Sequence, residues 1–552
     1  MNPSKKSTFV VRLLDYCIAP GALYFFLFCV YSFPLLLHFN THFFTHPLLD
    51  GIQNVWNLWW VDKALTVLYQ SPWQTPYLHY PFGVTLVGHT LNPFNGFLAI
   101  PLLRFLTLLQ AYNAIVIFSF VAGGLSAFYL AYYFSRSYWP SVVAGALFTF
   151  SGYHFIHMET GHLQLIALEW IPLFVLCAHR LLARPGLMIS VASAAVLFLV
   201  FLCDYYYFMY CCMFLCILIA WKALCQRKLF FLEKEQFFSL ISFLIIVAAT
   251  TGPQIFSLFS LSRNEELLGI HQPLEYSADL FSPFIHGAFW RFAGLTEFYW
   301  KRLPCYFGEC SLHLGWVVIF VLGYAWRKRG QLKEAGMGLW FFVLCFFFVL
   351  SLGPSLHVFG TKVPHLLMPY QVLSFIFPPL RLSGVPARMS VMVFLSASVI
   401  FALGLRLLAE RLGKRRWVVA ALLAVLFLEY FPARLSLFKI HVPDYLITLR
   451  KEKVAGGVFD AVNGRTLSLY FQTIHEKPLV FGYVSRIPKS LDEKNDVLSF
   501  LFQRKDFARL YQDFGIKYFI VPEQLEIKDD RLSVRLLGED GYAKLYGLSE
   551  KK

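Results

Sequence analysis

Charge is what this 552-residue chain has least of. Asp, Glu, Lys and Arg make up 15% of it, against 58% hydrophobic residues. About a quarter of a soluble domain is charged, so most of this chain is excluded from a water-facing fold. Also missing from the segments that read as cytoplasmic are a glycine-rich phosphate loop, a Walker-type lysine and a Ser-His-Asp arrangement. Those segments are too short for a nucleotide-binding domain, which excludes ATP or nucleotide-sugar chemistry on that side. No small-residue cleavage site follows the first apolar run, so it reads as a retained anchor. Disulfide frameworks are excluded too: most cysteines (Cys29, Cys177, Cys211, Cys212, Cys216, Cys345) lie inside apolar runs, where a thiol behaves as a small hydrophobe. Only Cys305 and Cys310 share a polar loop, where a bridge is open to them outside the cytoplasm. No internal repeat or low-complexity tract stands out.

What is present is a succession of apolar runs of about 20 residues, the length that crosses a bilayer. About eleven spans are expected, near 16–39, 111–134, 139–156, 163–182, 187–202, 204–223, 237–261, 311–326, 337–352, 388–408 and 416–433. The run at 93–109, interrupted by Pro101 and Arg104, reads as interfacial. With the N-terminus inside, nineteen Lys and Arg fall in the short inner segments and nine in the much longer outer loops. That satisfies the positive-inside rule. The net charge of +15 is therefore topological, and nucleic acid is not a partner.

An odd number of spans puts the C-terminus outside. From about residue 434 charges become dense and apolar runs shorten: TLSLYF (466–471) and KYFIV (517–521) read as strands, and 497–514 as helix. The expected architecture is an all-α polytopic membrane domain over 1–433, with outer loops 40–110, 263–310 and 353–387. A small extracytoplasmic α/β domain follows over 434–552. Large outer loops and tight inner ones place the chemistry outside.

The candidate residues sit on that outer side. Asp50 follows the first span within HPLLDGIQNVWNLWW (46–60); its apolar and aromatic flanks favour a functional acid over a solvated one. Trp56, Trp59 and Trp60 share a helical face and read as an interfacial aromatic raft that contacts substrate through Trp56. His157, Glu159 and His162 lie within six positions of a short outer turn. They suit substrate contact, or a divalent metal held by Glu159 and His162, or a polar helix end. Asp204 with Tyr205 behind it suits sugar binding and equally suits a helix N-cap beside an aromatic belt. Glu309 and His313 occupy YFGECSLHLGW (306–316), and Arg381 and Arg388 occupy LRLSGVPARM (380–389). Arginine grips phosphate bidentately, so the last pair reads as a lipid-phosphate site in preference to side chains snorkelling to headgroups. His38, His42 and His46 recur every four residues and read as an interfacial face.

Taken together, the acid after span one with its Trp-rich helix, GHLQLIALEWIP, the tyrosines after Asp204, YFGECSLHLGW and RLSGVPARM resemble bacterial GT-C type multi-pass membrane glycosyltransferases over most of residues 10–433. The resemblance implies a plasma-membrane enzyme that moves a sugar from a polyprenyl-phosphate carrier to an envelope glycan or lipid acceptor on the outer face, by in-line, inverting attack. The family's catalytic acid maps onto Asp50, and its second-loop acids map loosely onto Glu159. This turn has no paired D-x-D, which leaves a divalent metal open. Two other classes stand beside this reading. A lipid-linked sugar flippase would line a mid-membrane path with ionisable groups such as Glu169, and a non-catalytic envelope scaffold would work through residues 434–552.

Overall fold

The Ser390–Leu412 helix forms the axis of the molecule. Its sequence, SVMVFLSASVIFALGL, is apolar on every face and rich in small residues, which lets neighbouring backbones approach closely. The helices Leu108–Ser135, Tyr138–Thr149, Trp316–Arg327 and Met337–Ser351 all pack against it. At Gly404 an added Cβ would lie 2.8 Å from Val321 Cγ1, so only glycine fits that crossing. Ser396 and Ser398 return their hydroxyls to the carbonyls of Met392 and Leu395, which satisfies those two buried hydroxyls. These relations come from a computed structural model that describes residues 12–44, 50–226, 233–304, 308–310, 312–333, 335–378, 380 and 384–551.

Five helices among the described residues are long and apolar enough to cross a membrane: Leu14–Tyr31, Leu108–Ser135, Tyr205–Cys225, Lys234–Asn264 and Pro386–Leu412. The other apolar helices, such as Trp170–Ala183, Leu187–Cys203 and Met337–Ser351, run 10–17 residues. Of the eleven expected spans, then, five reach crossing length. Burial ranks them: 89% of the Pro386–Leu412 window is inside the molecule, but only 28% of Tyr205–Cys225 and 22% of Lys234–Asn264. Phe256 and Phe259 of the last helix are 72% and 61% exposed, an apolar exterior suited to lipid. The expected span 139–156 is broken: Tyr138–Thr149 ends and Gly152–Glu159 begins again after Ser151. Buried His154 repairs the break, its two ring nitrogens meeting the carbonyls of Thr149 (2.7 Å) and Ile166 (2.9 Å).

The C-terminal part contains a four-stranded sheet of β1 (Gly457–Asp460), β2 (Ile516–Pro522), β3 (Leu532–Glu539) and β4 (Ala543–Glu550) in the order β1-β2-β4-β3. β1 and β2 are parallel; the other pairs are antiparallel. KYFIV lies in β2 as expected. TLSLYF does not form a strand: it belongs to the helix Gly464–His475, whose Ser468, Leu469, Phe471, Gln472 and His475 are buried at a helical period. The helical pattern over 497–514 resolves into two helices, Lys489–Gln503 and Phe507–Gln512.

A division at residue 434 cuts through a shared core. Ile52, Trp56, Trp60 and Leu78 of the first outer loop pack in one cluster with Leu446, Leu469, Phe471 and Ile520. Leu267 and Leu268 pair with Pro488 and Ile487 across the same junction. Residues 52–91 and 267–268 thus form one body with the C-terminal part on one end of the helix bundle.

Candidate active site

Four segments at one end of the bundle converge on one cluster. Asp50 stands just before the helix Ile52–Thr66. His157 and His162 flank the turn that ends Gly152–Glu159, Glu309 sits in the described stretch 308–310, and Arg388 lies in the 3-10 turn Pro386–Met389 that opens the axial helix. The histidine turn depends on Gly161, whose φ of +78° is a conformation that costs glycine no Cβ clash. His162 N–H there donates back to His157 O (2.8 Å). Asn54 Nδ2 then donates to both Asp50 O (3.1 Å) and Gly161 O (2.9 Å), tying the first loop to this turn.

The side chains form a chain of charge. His162 lies between two carboxylates: its Nε2 is 3.0 Å from Asp50 Oδ2 and its Nδ1 3.4 Å from Glu309 Oε1. His157 Nδ1 and Thr160 Oγ1 are each 3.0 Å from that same His162 Nδ1. Glu309 in turn accepts from Arg388 Nε (3.1 Å) and Nη2 (2.9 Å), a bidentate pair with both side chains 8% exposed. Asp50 differs, with a side chain 38% exposed. It is the one carboxylate of the cluster that an incoming molecule can reach. Burial pushes the Asp50 carboxyl up, but the His162 hydrogen bond and the charges of His162 and Arg388 outweigh it and hold it below its ordinary value. Burial likewise opposes ionisation of Glu309, and the Arg388 charge overcomes it, keeping that carboxyl low. Burial leaves His157 far below the ordinary imidazole value, hence neutral.

Several sequence expectations change here. Glu159 does not join His162: its carboxylate accepts from Ser436 N (3.1 Å) and Ser436 Oγ, fixing the chain that leaves the last helix. The group whose ligand atoms converge, within 4.8 Å of one another, is His157, His162 and Glu309. Two neutral-capable imidazoles and a carboxylate form a donor set suited to a divalent transition metal. Trp56 is not at an interface. It is fully buried, stacked on Trp60 at 5.7 Å, with Nε1 donating to Gln472 Oε1 at 2.7 Å. Aromatic residues at helical spacing fit a buried seam as well as a membrane belt, and here the helix docks the C-terminal body.

Asp204 caps its helix, Oδ1 accepting from Tyr206 N (2.8 Å) and Tyr207 N (3.1 Å). Tyr205 lines an adjoining apolar cavity. The His313 ring lies tilted against His286, centroids 3.3 Å apart, in a separate small cavity with Trp290 and Glu429. Arg381, His46 and Cys305 lie outside the described residues.

What the sequence reading missed is the contribution of the C-terminal body. Ser485 N donates to His89 Nδ1 (3.1 Å), while His89 Nε2 meets Asn57 Oδ1 (3.1 Å). Burial lowers the His89 imidazole to about 3. The loop 483–486 thus inserts beside His89 and Asn57. No spacing in the sequence marks it, since its partners lie nearly four hundred residues away.

No protein-family model and no curated protein matches the chain. Solved structures are similar to it. The apo oligosaccharyltransferase of Archaeoglobus fulgidus is 11% identical with a TM-score of 0.45, over 92% of this chain and 69% of that one. The same enzyme tethered to an acceptor peptide containing the NVT sequon gives 12% and 0.46, over 93% and 70%. Archaeal oligosaccharyltransferase AglB in complex with an inhibitory peptide and a dolichol-phosphate gives 12% and 0.41, over 91% and 69%. At that distance, the chemistry of this chain has to be read from its own side chains. They define a mostly helical, multi-pass protein with an acid–imidazole–guanidinium centre at one end of the bundle.

Proposed function

We propose that the protein is a membrane glycosyltransferase that transfers a sugar from a polyprenyl-phosphate carrier to an envelope acceptor on the outer face of the membrane. The observation that carries this reading is the half-exposed Asp50 carboxylate at the head of a buried chain of charge. Asp50 accepts the hydrogen bond of the acceptor hydroxyl, orients it for in-line attack at the anomeric carbon and takes up its proton as the new bond forms. His162, held by Glu309, positions Asp50. Arg388 neutralises Glu309 and adds positive potential where the phosphate leaves. A divalent ion on His157, His162 and Glu309 would add further positive charge at that point.

The positive-inside pattern and the convergence of Asp50, His157, His162, Glu309 and Arg388 on one cluster support an N-terminus inside and the C-terminal body outside, as in a bacterial plasma membrane. Asp50→Asn keeps the size of the side chain and removes the base. Transfer from a polyprenyl-phosphate sugar in proteoliposomes is expected to fall by about 10²–10⁴-fold. Normal transfer by Asp50→Asn would refute the assignment.

A further inference from the structure

We infer that the carrier's phosphate is gripped by Arg486, a residue of the C-terminal body, at the head of an apolar cavity that receives the carrier's chain. This rests on the glycosyl-transfer reading for its biological use, but it concerns a separate binding event.

The cavity has a volume of about 320 Å³ and lies between the helices Tyr205–Gln226 and Lys234–Asn264. Phe208, Met209, Ile255 and Leu258 form its walls, and Phe377 stands at its side. Ile255 and Phe377 are 42% and 44% exposed, so the cavity opens sideways. Both helices are of membrane-crossing length and mostly unburied, which makes the opening face lipid. Its lining is mostly apolar, with Gln254, Tyr205 and Tyr206 as polar members and Arg486 as its charged one, entering from the loop between the Gly464–His475 and Lys489–Gln503 helices. Arg486 Nη1 donates to the carbonyls of Gly269 (2.6 Å) and Ser485 (2.8 Å). Carbonyls orient a guanidinium without cancelling its charge. Gly88 closes the other side, where an added Cβ would lie 3.2 Å from Arg486 Cβ. A mostly apolar, sideways-open slot with one guanidinium in its lining is complementary to an anionic headgroup on a hydrocarbon chain.

The slot also leads to the right place. Gly88, Phe201, Tyr205 and Tyr206 line both this cavity and a smaller one that contains Asp204 and His89. Burial and the charges of Arg388 and Arg486 lower the His271 imidazole to about 4, while Glu309 and Asp50 oppose them. Ser485, the neighbour of Arg486, meets Gln53 Nε2 through its hydroxyl (3.5 Å), and Gln53 lies three positions along the chain from Asp50. Arg388 gives its planar fork to Glu309, and Arg486 is the arginine that lines the slot.

The test uses full-length protein in nanodiscs and undecaprenyl phosphate as the probe, with binding followed by native mass spectrometry. Arg486→Gln is expected to weaken binding by about tenfold or more, the value of a charge-assisted hydrogen bond. Arg486→Lys should recover part of that loss, and undecaprenol should bind wild type and Arg486→Gln alike. Ile255→Trp, which fills the slot, should weaken both lipids. Inorganic phosphate should fail to displace the probe; displacement would show a free-phosphate site and overturn the lipid assignment. So would equal affinity for phosphatidylglycerol, or unchanged binding in Arg486→Gln folded as judged by its melting temperature. Asp50→Asn separates the two readings: it should bind undecaprenyl phosphate normally while losing transfer. In transfer assays Arg486→Gln should raise KM for the lipid donor far more than it lowers kcat.

Discussion

Glu309 and Arg388 are 79 positions apart and meet in a bidentate pair that water barely reaches. A buried pair of this kind is weak evidence of net stability, because desolvation offsets much of the attraction. Removing one partner is another matter. Arg388→Met should cost about 3–5 kcal/mol by stranding the Glu309 carboxylate, read as a lowered melting temperature in detergent. The double variant with Glu309→Gln should recover most of that loss while remaining inactive. If Arg388→Met melts like wild type, Glu309 has another source of charge. Each of these two residues was legible in the sequence as an ionisable group in an outer loop. Their pairing was not, because no local period links residues so far apart. Glu159 shows the same limit from the other side: its spacing to His162 fits a metal pair, yet Ser436 claims the carboxylate.

The helix Ile52–Thr66 adjoins the proposed catalytic acid at one end and docks the C-terminal body along its length. Its N-terminal end holds Asp50 through Asn54, and its body buries Trp56 and Trp60 against Leu469 and Phe471. Lys63 adds an ion pair to Glu476 at 2.7 Å. Trp56→Ala should cost about 3–5 kcal/mol, the range for emptying a buried aromatic site. Limited proteolysis should then release a C-terminal fragment that wild type retains. Faster cleavage between 434 and 460 is the expected outcome, and an unchanged digest would show that the shared core does not depend on this ring. The Trp-rich pattern was visible beforehand, as was the helix. Which way the helix faced was not, since an aromatic stripe satisfies a membrane interface and a protein seam equally. The strand expected at TLSLYF failed for a related reason: six apolar-rich residues fit either period, and only the partners on one face select the helix.

On the scale of the whole molecule, the outer loops and the C-terminal sheet behave as one unit, so the chain should not tolerate truncation. A protein ending at residue 433 loses half of the core containing Trp56 and the Ser485 partner of His89. It should fail to accumulate in membranes, measured by fluorescence-detected size exclusion. The same junction should be sensitive to acid. Burial lowers His79 to about 4 and His475 to about 3, with Lys477 adding to the second. An unfolded imidazole takes up its proton near pH 6.5, whereas these stay neutral until far lower pH. The unfolded state therefore binds more protons throughout that interval, and stability must fall as pH drops below about 6.5. Melting temperatures measured from pH 7.5 to 5 should decline, and His475→Gln should flatten the slope.

Composition and the length of its apolar runs alone determined that this is a multi-pass membrane protein. That follows from free energies of transfer, which sum along the chain regardless of how it folds. The position of Asp50 after the first span was determined in the same way. Only the tertiary structure decided which imidazole and which arginine face which carboxylate, that Trp56 points into protein, and that Arg486 closes a lipid-facing slot. Those are pairings across tens to hundreds of residues, and their energies depend on distance and local dielectric, quantities a linear order of residues does not contain.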